Sequence, residues 1–301
     1  MVSSLQPRTQ EFLNNVNRIS NDMAQAQTQL STGLRVNVVS DSPDVISPLL
    51  QAQANLSTAQ QISSNLDQVS TEVNTGEQSM ESATSLYDQV QTLSAEGTTS
   101  TQTPSGRAGI AQQLQSIEQQ MVGLANTSVN GRYIFAGDTD QAKPYTFDAT
   151  QPDPVSAYQG SASTRTIQAP NGTTFPVALT AQQMFDSTDP TTNVFTSINN
   201  MVTALNGNNQ AAISTANAAL PAVSTYLNGQ LAFYGTAQDA ISAGTTSAAT
   251  LVTQLKTQIS GMQDADETQS ILNLTQAQTE QQAALQSFQQ IPRTSLFDFL
   301  G

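Results

Sequence analysis

The sequence predicts a mainly α-helical protein with a small β-rich insertion, its N- and C-terminal helices paired in an elongated bundle or coiled coil. Three observations predict it. Apolar residues recur at alternating spacings of 3 and 4 over most of the chain. That spacing vanishes between about residues 132 and 190, where six of the twelve prolines gather with aromatic and β-branched clusters. The layout on either side of this gap is nearly mirror-symmetric, with one amphipathic segment at each end.

At the N-terminal end, Phe12, Val16, Ile19, Met23, Ala26 and Leu30 are separated by 4, 3, 4, 3 and 4, which puts one apolar stripe on one helix face. The stripe ends at Ser31-Thr32-Gly33, where Gly is a natural helix stop. Asp41-Ser42-Pro43 then reads as a helix start, because Pro in the first turn forfeits no hydrogen bond. A long helix follows over about 45–95, with Leu66, Val69, Val73, Gly76, Met80 and Ala83 in its seam. The Thr/Ser/Gly/Pro connector Gly97–Gly106 leads to a third helix, with Ile110, Leu114, Ile117, Met121 and Leu124 inward, expected to stop near Asn130-Gly131.

Within the insertion, Asn171-Gly172 between Thr164–Gln168 and Thr173–Leu179 predicts a hairpin, since both turn residues tolerate positive φ. Tyr133-Ile134-Phe135 and Tyr145-Thr146-Phe147 supply its core. Helical spacing returns at Val194, Ile198, Met201 and Leu205, and a second long helix runs over about 209–260, weakest in composition at Ala240–Thr250. Asp264-Ala265-Asp266-Glu267 marks a new start, acids being favourable at a helix N-terminus. The last helix carries Ile271, Leu274, Gln278, Gln281, Leu285 and Phe288, and stops before Pro292. The tail Leu296-Phe297-Asp298-Phe299-Leu300 is openly apolar. The expected domains are 1–40 with 262–301 (terminal helices), 41–131 with 191–261 (long-helix bundle), and 132–190 (insertion).

Composition removes most chemistry. The 301 residues include no Cys, His or Trp, so there is no thiol nucleophile, no disulfide, no Ser-His-Asp triad and no ordinary zinc site. Asp138-Thr139-Asp140 lacks the further oxygens and distant Glu of a calcium loop, and no phosphate-binding glycine motif is present. No catalytic residue, cofactor site or metal site is assigned, and the chain is expected not to be an enzyme. Charged residues make up 11% and net charge is −14, a field that repels phosphate backbones and argues against nucleic acid. No run approaches the roughly 18 apolar residues of a membrane span, and no cleaved secretory signal is visible at the N-terminus. Narrow apolar stripes on terminal helices bury little surface within a two-helix pair, which points to packing against other subunits. Folding back onto the long helices of the same chain is the alternative. The residues expected to form such an assembly interface are Phe12, Val16, Ile19, Met23, Leu30, Ile271, Leu274, Leu285, Phe288, Leu296, Phe297, Phe299 and Leu300.

Leu30-Ser31-Thr32-Gly33-Leu34-Arg35-Val36-Asn37, followed by Ser40-Asp41-Ser42-Pro43, resembles the turn after the first helix of the flagellin family. Leu34 stands where the family has a basic residue, Ser42 where it has an acid, and Val38-Val39 where it has a polar residue and Pro. Asn130-Gly131-Arg132-Tyr133-Ile134-Phe135-Ala136-Gly137 resembles the entry to the variable domain of the family's hook-associated members. Tyr158-Gln159-Gly160 and Met184-Phe185 are similar to that domain as well, and Asp264-Ala265-Asp266 with the apolar tail to the family's C-terminal region. The resemblance implies a structural adaptor of the bacterial flagellum at the hook–filament junction. It also implies export without a cleaved signal, self-association as a homo-oligomer, and as partners the junction protein FlgK, flagellin and an export chaperone. The alternative it leaves open is flagellin, the filament subunit itself. A third reading is an enzyme or a glycan-binding insertion on the same scaffold; the missing His and Cys argue against most enzymes, and screening residues 132–190 for saccharide or metal binding tests the rest.

Overall fold

The computed structural model describes residues 5–289. The chain is mainly α, with a small β part. The elements run α1 (Leu5–Thr32), α2 (Pro43–Thr98), α3 (Pro104–Ala125), β1 (Ser128–Val129), β2 (Arg132–Tyr133), β3 (Thr166–Gln168) and β4 (Thr174–Pro176). They continue with α4 (Ala181–Phe185), α5 (Val194–Asn206), α6 (Gln210–Gln263) and α7 (Glu267–Gln289). Two compact units are present, one made of Met1–Thr58 with Val252–Gly301 and the other of Ala59–Leu251.

In the first unit α1 pairs with α7 and the two run antiparallel. Gln29 meets Ser270 at one end of the pair and Arg18 meets Glu280 further along. Pro43 opens α2 as its position in the sequence indicates. Asp266 caps α7, its carboxylate accepting from the Gln269 N–H at 3.0 Å.

The second unit holds one large core. Leu66, Met80, Leu114, Met121, Ile198 and Leu227 are all fully buried within it. Where α2 meets α6, Gly76 lets the backbone approach a ring: a Cβ there would lie 2.6 Å from Tyr234 Cε1. Tyr234 in turn stands edge-on to Phe135 with centroids 6.4 Å apart, so the insertion packs into the same core as the helices. Tyr145 and Phe195 meet edge-on at 5.2 Å and extend that contact to α5. The stretch Ala240–Thr250, weak in composition, is helical throughout, and burial of Ile241 and Ala248 supplies what propensity lacks.

Two local expectations need correction or refinement. The third helix does not reach Asn130-Gly131. It ends at Ala125, where the Asn126 side chain trades hydrogen bonds with the Tyr145 backbone (2.8 and 3.0 Å) and pulls the chain away. Asn130 and Gly131, at φ 52° and 78°, form instead the two-residue turn of the β1–β2 hairpin, which needs positive φ at both positions. The Asn171-Gly172 hairpin is present, with Ile167 opposite Phe175, but its loop spans five residues and only Gly172 has positive φ.

One end of the second unit is closed by a cation that sequence reading passes over. Arg107 is buried, and its guanidinium donates to the Gly97 and Thr99 carbonyls (3.2 and 3.4 Å) at the C-terminus of α2. It also donates to Asn208 Oδ1 (2.6 Å) and to the Gln210 side chain at the start of α6. The planar fork joins three chain segments at once, and it lies where the α2 dipole favours positive charge. Arg107→Ala leaves the buried Gly97 carbonyl unmet and removes a buried side chain that ties three segments, and is expected to cost about 1–3 kcal/mol. Arg107→Lys should recover little, because an ammonium cannot span the same acceptors. Urea denaturation of the two variants checks both expectations.

Candidate assembly interface

The terminal pair is anchored by the turn after α1. Gly33 takes φ +71°, its N–H donating to the Gln29 carbonyl at 2.8 Å, so a residue free of Cβ strain ends the helix. The chain then pairs with the segment between α6 and α7: Arg35 N–H donates to the Gln263 carbonyl (2.7 Å) and Ala265 N–H to the Gly33 carbonyl (2.9 Å). The Arg35 guanidinium donates to the Met262 carbonyl at 2.7 Å, at the C-terminal end of α6 where a cation is favoured. Asp41 closes the loop by accepting from the Asn37 and Val38 N–H groups at 2.8 and 2.9 Å. Val36 is buried beneath the turn, while Val38 and Val39 stay 57% and 67% exposed.

Along α1, Ile19 and Ala26 are buried and Phe12, Val16, Met23 and Leu30 are half-buried, so these positions share the inward face of the pair. On α7 the inward face is Ser270, Leu274, Ala277, Gln281 and Ala284, with Ser270 and Ala277 buried. This register differs from the one that apolar spacing suggests. Of the expected stripe, Leu274 and Gln281 turn inward; Ile271 is 53% exposed and Leu285 48%, both on the open face with Leu272. Small residues at 270 and 277 let the two helices approach, and the large side chains are directed outward. Ile271, Gln278 and Leu285 follow one another at intervals of seven, the repeat of a coiled-coil seam. The Phe288 side chain and Leu296, Phe297, Phe299 and Leu300 lie outside the described residues.

One flank of the pair is polar. A groove of about 280 Å³ is walled by Arg18, Asp22, Gln25, Asn273, Gln276 and Glu280. Arg18 lies 3.2 Å from Asp22 and 3.9 Å from Glu280, and both pairs are exposed enough to contribute under about 1 kcal/mol each. The pair thus has a narrow inner seam, a polar flank and an outer apolar stripe. It offers contacts to be buried.

These features define a class: a protein whose paired terminal helices carry more apolar surface than they cover. Residues 3–140 match the family model of the bacterial flagellin N-terminal helical region. It is similar to flagellar hook-associated protein 3 of Salmonella typhimurium, with 34% identity over 191 residues, covering 58% of this chain and 54% of the relative. The counterpart from Escherichia coli is 29% identical over 194 residues, covering 58% and 55%. The chain therefore spans just over half the length of the curated relatives it matches. Among solved structures, hook associated protein-3 from Legionella pneumophila has a TM-score of 0.61 at 11% identity, covering 72% of this chain and 98% of that one. A FlgL structure from Xanthomonas campestris has a TM-score of 0.60 at 17% identity, covering 69% and 99%. At those identities the structures establish a shared fold.

Proposed function

We propose that this chain is a structural adaptor of the extracellular flagellum at the hook–filament junction, and not an enzyme. The observation that carries the reading is the outer stripe of α7, Ile271 and Leu285, half exposed on a chain whose residues 3–140 match the flagellin N-terminal helical region. Apolar residues at heptad positions that stay open among the described residues make a surface suited to a neighbour. The names of the curated relatives support the junction over the filament as its place.

In this reading Phe12, Val16, Ile19, Met23, Leu30 and Leu274 set the pair. Ile271, Leu285, Phe288 and the apolar tail from Leu296 to Leu300 make contacts between copies. One axial side of the homo-oligomer meets FlgK and the other meets flagellin. Export without a cleaved signal, held by a chaperone, precedes assembly. The terminal helices form one working region, the long helices a second and residues 132–190 a third.

Immunogold labelling of flagella tests the proposal. A band confined to the hook–filament boundary is expected; label along the whole filament would make the chain a flagellin and overturn the adaptor reading.

A further inference from the structure

The second unit holds a cavity of about 230 Å³ between the turn carrying Arg132–Asp140 and the segment 163–180. Its wall combines Arg132, Arg165, Asp138, Asp140, Tyr133 and Thr164. The charges are fixed before any ligand arrives. Asp140 Oδ1 accepts from Gln141 at 3.0 Å and Oδ2 from Arg132 Nε at 2.6 Å. These two hydrogen bonds, with the nearby charges of Arg132 and Arg165, hold the Asp140 carboxyl below the usual carboxylate range. Arg165 is held from the other side by Glu72 of α2. Each guanidinium has five N–H donors, and these pairings use only part of them.

The charge sum selects the ligand class. Two guanidinium groups and two carboxylates (Asp138 and Asp140) line the wall, and Glu72 outside it pairs with Arg165, a local net of −1 in a chain of net −14, so an anion is disfavoured. A cation would compete with Arg132 at Asp140 and with Arg165 at Glu72. A neutral polyhydroxyl ring suits the wall, because each hydroxyl can donate to a carboxylate while accepting from a guanidinium. The half-exposed ring of Tyr133 offers an apolar face for the C–H side of such a ring. The volume falls below the roughly 300–1,000 Å³ of sites for drug-sized ligands, which limits the occupant to about one sugar unit.

We propose that this cavity binds a single neutral pyranose unit, an activity separate from assembly through the terminal helices. The full chain is tested by saturation-transfer NMR against the methyl glycosides of glucose, galactose, mannose, fucose and N-acetylglucosamine. At least one should bind in the millimolar range. Asp138 is exposed, and Asp138→Ala should weaken binding at least about tenfold, the loss expected when a site group that pairs a substrate hydroxyl is removed. Tyr133→Ala should also weaken it, with thermal unfolding of the Asp138 variant unchanged. Absence of transfer from all five glycosides would overturn the proposal, as would parent-like binding by Asp138→Ala.

Discussion

Raising the pH from about 5.5 to 8 weakens the second unit, and Glu118→Gln removes most of that dependence. Glu118 of α3 is fully buried, and neither of its carboxyl oxygens has a hydrogen-bond partner. Burial first, and the negative charge of Asp153 second, push its pKa up to about 8. In the unfolded chain the group ionises near its ordinary value of 4.5. Folding therefore takes up a proton between these two values. The contribution is fully present below about 4.5, declines as pH rises, and is gone once the pH passes about 8. The slope approaches about 1.4 kcal/mol per pH unit, so the effect across the window is of the order of a few kcal/mol. The chain has no His and no Cys, so little else titrates between pH 5.5 and 8 and the window is unusually clean.

Urea denaturation of parent and variant at a series of pH values measures it. Glu118→Gln should match the parent near pH 5 and exceed its stability at pH 8. Asp153→Asn, which removes the neighbouring charge, should bring the folded-state pKa of Glu118 down, so the loss of stability ends at a lower pH and is smaller in total. Equal pH slopes in the parent and Glu118→Gln would show that the carboxyl is not the titrating group.

The helices were legible because a 3-and-4 spacing has one simple reading, and α1, α2, α5 and α6 follow it closely. What escaped was the environment around them. On α3 the spacing of Ile110, Leu114, Ile117, Met121 and Leu124 suggests one seam. The helix is in fact buried on a wider face that includes Arg107, Ala111, Glu118 and Val122, because α5 covers it as well. No local pattern announces a second covering layer. Asn130-Gly131 is ambiguous for a different reason: the dipeptide ends helices and turns hairpins equally well, and Tyr145, fifteen residues on, decides by holding Asn126. On α7, apolar spacing alone does not say which residues face α1. Close helix pairing favoured Ser270 and Ala277 there and left Ile271 and Leu285 outside.

That displacement gives the second large expected effect. Ile271→Asp with Leu285→Asp should leave the isolated chain folded while preventing its incorporation into the flagellum. Both side chains are about half exposed, so charging them costs the single chain little. In an assembly that covers the outer stripe, each lost side chain forfeits roughly 1.5–3 kcal/mol of burial, and each new carboxylate must in addition be desolvated. Two such sites per copy amount to a loss of affinity of at least about a hundredfold at every contact. Ile19→Asp supplies the contrast. Ile19 is buried in the inner seam, so that change should disturb α1–α7 pairing in the isolated chain, visible as lost helical circular dichroism. Swimming in soft agar and immunogold counts report assembly, and circular dichroism of the purified variants reports folding. If the double outer variant still assembles normally, the outer stripe is no contact between copies. If it unfolds the isolated chain as Ile19→Asp does, the stripe belongs to the fold of one chain and its exposure says nothing about partners.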